Sequence, residues 1–98
     1  MSKLLPQHLR RKLPSLMTNA NEADPVAQVK FFATWSDWQW YAIEFDGDDL
    51  MFGLVCGFEV ELGYFRLSEL EAGSGMTAIE RDEHFEPTKV SLLRARQR

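Results

Sequence analysis

Ninety-eight residues, 45% of them hydrophobic, suffice for one core and leave no room for a second. The single Cys56 excludes an internal disulfide framework and agrees with a reducing compartment. No stretch approaches the roughly 20 apolar residues that cross a bilayer, so the expectation is a soluble, cytoplasmic domain.

The formal net charge of −4 hides a strong asymmetry, because residues 44–86 carry twelve acids against Arg66 and Arg81, while residues 87–98 carry four bases and no acid. Such a field steers charged partners and says nothing about fold.

Pro6 suits the first turn of a helix, and Leu5, Leu9, Leu13 and Leu16 fall on one face of a 3.6-residue period. A short helix over about 6–13 is predicted, ended or kinked by Pro14, with one more turn over 15–17. Pro6, Arg10, Arg11 and Lys12 interrupt the apolar residues, so no signal-peptide core forms. His8 stands among bases without a partner in helical reach and reads as a solvent-facing residue. Residues 19–27 are polar, hold Asp24-Pro25 and predict a loop.

Val29, Phe31 and Ala33 alternate with Lys30, Phe32 and Thr34 and predict a strand over about 28–34. After a turn at Ser36-Asp37, neither face of residues 38–45 is plainly polar, so both should meet something, a helix on one side and loops or an exposed aromatic patch on the other. Residues 50–58 are nearly all apolar and predict a central strand, with Gly53 and Gly57 marking a bulge or a close backbone approach. Glu59-Val60-Glu61-Leu62 alternates acids outward and apolar residues inward, and Tyr64 to Leu67 completes a fourth strand. Ser68 is placed as the N-cap of one helical turn with Glu69 and Glu71 at its positive pole. Gly73-Ser74-Gly75 ends that turn, residues 76–81 add an edge strand, residues 82–87 run extended, and Thr88 caps a last short helix. The expected fold is α+β: a four- to five-stranded antiparallel meander, an N-terminal helix on one face and one or two short C-terminal helices.

The ordered blocks WYAIEF, FGLV, ELGYF followed by SELE, and IERD with Phe85 and Pro87, after the opening LLPQHLRRKLPSL, resemble the bacterial family labelled DUF2958. The likeness runs from about Leu4 to Pro87. It implies small cytoplasmic proteins, many encoded on plasmids, phages and other mobile elements. The label declares an unknown function and gives no catalytic residue to carry over. The stretch around Gly73 to Thr77 and the basic tail after Pro87 depart from the family pattern.

No constellation compels a chemistry. Asp46-Gly47-Asp48-Asp49 lacks the downstream ligands of a calcium loop and reads as a polar turn. One Cys and two His cannot assemble a four-ligand zinc site, neither His8 nor His84 stands at a diagnostic spacing from a nucleophile, and Gly73-Ser74-Gly75 lacks the Lys of a phosphate loop. No metal or cofactor is expected. The favoured expectation is a non-enzymatic interaction protein that binds a partner with a basic surface. Its sharpest form is a nucleic-acid mimic of anti-CRISPR or anti-restriction type, with Glu44, Asp46, Asp48, Asp49, Glu59, Glu61, Glu80 and Asp82 standing in for phosphates. The alternative is a small accessory protein of a mobile element acting through an aromatic patch of Trp38, Trp40 and Tyr41 or through self-association, which leaves a homodimer open. Direct nucleic-acid binding and catalysis rank below both, since the bases split between the two ends and no site converges.

Overall fold

In the computed structural model, which describes residues 4–72 and 78–97, the aromatic and β-branched runs form the middle of an antiparallel sheet. The short helix α1 (Gln7–Arg10) and the two-residue strand β1 (Val26–Ala27) precede it. Strands β2 (Val29–Ala33), β3 (Gln39–Phe45), β4 (Leu50–Cys56) and β5 (Val60–Arg66) follow as the expected meander. The chain then passes through α2 (Leu67–Ala72), β6 (Ile79–Arg81), β7 (Thr88–Lys89) and α3 (Val90–Arg96). The five-stranded sheet has the order β5-β4-β3-β2-β6, and β1 pairs with β7 in a separate ladder. This is the α+β architecture expected, with a meander closed at one edge by a returning strand.

Both faces of the sheet are covered, which explains why β3 showed no polar side. On one face Phe31, Ala42, Phe45, Met51 and Phe65 pack beneath Leu5 and Leu13 of the N-terminal segment and Leu67 and Leu70 of α2. On the other, Tyr41, Ile43, Leu54 and Cys56 pack against Val90 and Leu93 of α3. A bulge makes the double burial of β3 work. Ala42 lies opposite Gly53 and Glu44 opposite Phe52, which leaves Ile43 as an extra residue and returns Phe45 to the face of Ala42. Gly53 meets the other expectation as well, since a Cβ there would overlap the Tyr41 carbonyl oxygen.

Several local expectations are corrected. The first helix spans Gln7–Arg10 rather than 6–13, because no side chain caps its start and the chain leaves it in a turn before Pro14. Residues 26 and 27 are not loop, since they pair with Thr88 and Lys89. Leu62 does not point inward: β5 is an edge strand, Leu62 is 40% exposed, and Phe65, opposite Met51, carries the burial.

Neither Ser68 nor Thr88 is an N-cap. Ser68 is the second residue of α2, and Thr88 lies in β7 with its hydroxyl donating to the Glu86 carbonyl. The caps come from distant aspartates. Asp49 accepts from the Ser68 N–H and hydroxyl, and Asp24 accepts from the Ser91 N–H and hydroxyl. The predicted Gly73-Ser74-Gly75 terminus and the start of the edge strand at Met76 and Thr77 lie outside the described residues.

Candidate functional site

The eight carboxylates expected on one acidic surface fall in separate places. Glu44 is a correction: it is only 4% exposed and accepts hydrogen bonds from the backbone N–H groups of Met17 (2.9 Å) and Asn19 (2.7 Å). The bulge turns it under the 17–19 segment, and those two donors compensate its burial. Asp46 folds the β3–β4 turn by accepting from the N–H groups of Asp48, Asp49 and Leu50, which holds its carboxyl below the usual range. Asp48 is exposed on that turn, whereas Asp49 caps α2, its pKa lowered first by the Ser68 hydroxyl and then by the Ser68 N–H.

Glu59 and Glu61 are exposed at the β5 edge, and Glu80 and Asp82 lie at or just beyond β6, on the opposite edge. Four strand spacings, roughly 19 Å, separate the two edges. The faces differ too. Glu61 lies opposite Val55, on the Phe31 face, while Glu80 lies opposite Phe32, on the other. Asp82 is 3.8 Å from the Lys30 ammonium. The eight therefore share no single outward surface.

The aromatic triplet also divides. Tyr41 points to the α3 face and is buried, while Trp40 packs with the core of the opposite face. In place of the triplet, Trp35, Trp38 and Trp40, all three tryptophans of the chain, line a groove of about 460 Å³ with Val55, Leu70 and Ile79. Trp38 lies tilted against Trp40 at 5.9 Å between ring centroids and meets the edge of Phe58 at 5.2 Å. Gly57 sits under the Trp38 ring, where any Cβ would collide with it. Trp35 is 54% and Phe58 95% exposed, so the aromatic surface continues past the groove.

Acid borders this groove. Glu69 is part of its wall, and its Oε1 accepts from the Arg66 N–H at 3.0 Å, which fixes the side chain. Cross-strand register forms a row Phe31, Trp40, Val55, Glu61 on one face, placing Glu61 beside the groove at the sheet edge. An indole floor with carboxylates at its margin suits a cationic side chain, whose apolar stem packs on the rings while its charge meets the acids.

A second, polar cleft of about 480 Å³ opens between the sheet and α3, lined by Lys30, Gln39, Tyr41, Asp82, Arg96 and Gln97 among others. The Tyr41 hydroxyl donates to Gln39 Oε1 at 2.6 Å, and Gln97 Nε2 donates to the same oxygen at 3.3 Å. Burial pushes the Tyr41 hydroxyl and the Cys56 thiol up, so both stay protonated at neutral pH.

Trp35, Glu69 and this cleft escaped the sequence. Trp35 falls between the strand predicted over 28–34 and the Ser36-Asp37 turn, Glu69 read as a helix-dipole residue, and only the return of α2 onto the sheet brings them together. Among the described residues no three His, Cys, Asp or Glu side chains cluster as metal ligands, and no helix is long and apolar enough to cross a membrane. A family model described as a protein of unknown function (DUF2958) matches residues 4–94. No curated protein and no solved structure matches the chain.

Proposed function

The chain belongs to the DUF2958 family, and from that premise we propose that it is a non-enzymatic interaction protein whose tryptophan groove takes a basic side chain of a macromolecular partner. The observation that carries this is the convergence of all three tryptophans on one groove walled by Glu69 and flanked by Glu61. A cation over an indole face contributes ~0.5–2 kcal/mol, more as water is excluded. Exposed carboxylates acting alone contribute roughly 0–1 kcal/mol per pair. The groove thus does what dispersed acids cannot, and it keeps the basic partner expected from the net charge. The basic groups that a DNA-binding or host-defence protein offers to phosphate would fit it, which retains an anti-defence role in a narrower form than mimicry of a phosphate row.

Anisotropy of a labelled arginine-rich peptide tests the proposal. Binding should weaken from low to physiological salt and should drop in both Glu61→Gln and Glu69→Gln, the latter keeping an acceptor for the Arg66 N–H. Binding indifferent to both substitutions contradicts it.

A further inference from the structure

The β5 strand is an edge whose ends are closed and whose middle is open. Strand alternation sets which groups face out. The Gly57 N–H donates to the Glu59 carbonyl at the hairpin, so the odd-numbered residues of β5 bond inward to β4 and the even-numbered ones face away. Two of the outward groups are taken by side chains: Arg94 Nη1 donates to the Val60 carbonyl at 3.2 Å, and the Arg66 N–H donates to Glu69 Oε1 at 3.0 Å. Between them, the outward groups of Leu62 and Tyr64 meet no strand or side chain among the described residues. Their side chains are 40% and 57% exposed.

We propose that this open segment pairs with its own copy, antiparallel about Gly63, so that Leu62 of one chain lies opposite Tyr64 of the other and two sheets join into one. The segment is self-complementary in three respects. Pairing centred on Gly63 sets Leu62 and Tyr64 opposite each other twice, as hydrogen-bonded pairs of apolar side chains on one face. Gly63 meets itself on the axis in a close, non-hydrogen-bonded pair, and it has no side chain to obstruct the approach. The acids do not collide, because Glu61 falls opposite Phe65. The Arg94 and Glu69 caps stop the ladder beyond those pairs and so fix its register.

Two further features favour a second copy over a stray strand. The other sheet edge, β6, is three residues long and carries Glu80 and Arg81, the usual defence of an edge against pairing. Beside β5, Met17 is held at φ +71°, a left-handed conformation costly for a side-chain-bearing residue, by the Glu44 bond to its N–H. Met17 is exposed and lines a pocket with Leu62, Tyr64 and Phe52, which extends the apolar surface flanking the joined strands. The pairing uses none of the tryptophans, and it uses the groove residue Glu69 only as the acceptor for the Arg66 N–H, which Glu69→Gln keeps. Sedimentation without peptide therefore reads the pairing and peptide binding to the Glu69→Gln chain reads the groove, so the two failures are distinguishable.

Sedimentation equilibrium of the full chain tests it. The unaltered protein should approach twice its 11.3 kDa mass with rising concentration. Leu62→Lys and Tyr64→Glu, each at an exposed position, should each raise the dissociation constant on the order of tenfold or more. The combined Leu62→Lys, Tyr64→Glu chain should recover dimerisation, because the register sets the new opposite charges against each other across the axis. Circular dichroism melts check that all three chains fold. A monomer at every concentration, a dimer indifferent to both single changes, or a folded combined variant that stays monomeric overturns the proposal.

Discussion

The Asp49 carboxylate accepts both the backbone N–H and the hydroxyl of Ser68, each at 2.7 Å, from nineteen residues upstream. Asp24 does the same for Ser91, sixty-seven residues away. Each aspartate is followed by a carbonyl bond to the same helix start, or makes one itself: the Leu67 N–H donates to the Asp49 carbonyl and the Val90 N–H to the Pro25 carbonyl. Both C-terminal helices are thus tied to the body of the domain through their first turns, where carboxylate also complements the helix dipole.

These two caps predict an acid limb in stability. Both aspartates have folded-state pKa values lowered, chiefly by the serine hydroxyl and then its N–H. A lowered value means the contribution is complete above the unfolded pKa, about 3.9, and is lost as pH falls from there through the folded value. Denaturation midpoints should therefore drop as pH falls below about 4, and an Asp24→Asn, Asp49→Asn chain should show a shallower drop.

Gly53→Ala should destabilise the fold by about 1–3 kcal/mol in urea denaturation. The new Cβ would overlap the Tyr41 carbonyl oxygen, which belongs to a central strand and cannot move aside as a flexible side chain would. A change within about 0.5 kcal/mol, ordinary for an unconstrained surface site, would show that the bulge absorbs it.

Glu44→Ala should cost about 1–3 kcal/mol, because it leaves the Met17 and Asn19 N–H groups without their acceptor. Hydrogen exchange should quicken at those two amides first. A neutral effect on stability would return Glu44 to the surface set.

Leu93→Ala should cost about 2–5 kcal/mol, since Leu93 is fully buried in the core between α3 and the sheet. Thermal denaturation reads this. A loss of only a few tenths of a kcal/mol would mean that α3 contributes little to the cooperative unit.

The sheet was legible in the sequence because alternation along Val29 to Ala33 and unbroken apolarity along Leu50 to Cys56 follow from which faces are covered. The α3 and α2 layers account for the second. Two-residue strands β1 and β7 left no periodicity to read. The long-range caps were invisible because Ser68 and Ser91 find their carboxylates through tertiary folding, and a serine before an acidic turn is itself a good N-cap signal. The acidic set misled for a related reason. The bulge at Ile43 reverses side-chain phase within β3, so Glu44 goes inside, and the two strand edges hold Glu61 and Glu80 on opposite faces. Trp35 and Glu69 reach one groove only after the chain has run through three further strands and entered α2.

The indole N–H signals of Trp35, Trp38 and Trp40 test the groove most directly, because the chain has no other tryptophan. Adding an arginine-rich peptide at low salt should shift all three, salt should reverse the shifts, and a glutamate-rich peptide of equal length should produce none. Indole signals that stay fixed while the peptide binds elsewhere, or that respond equally to the acidic peptide, would contradict a groove built for a basic partner.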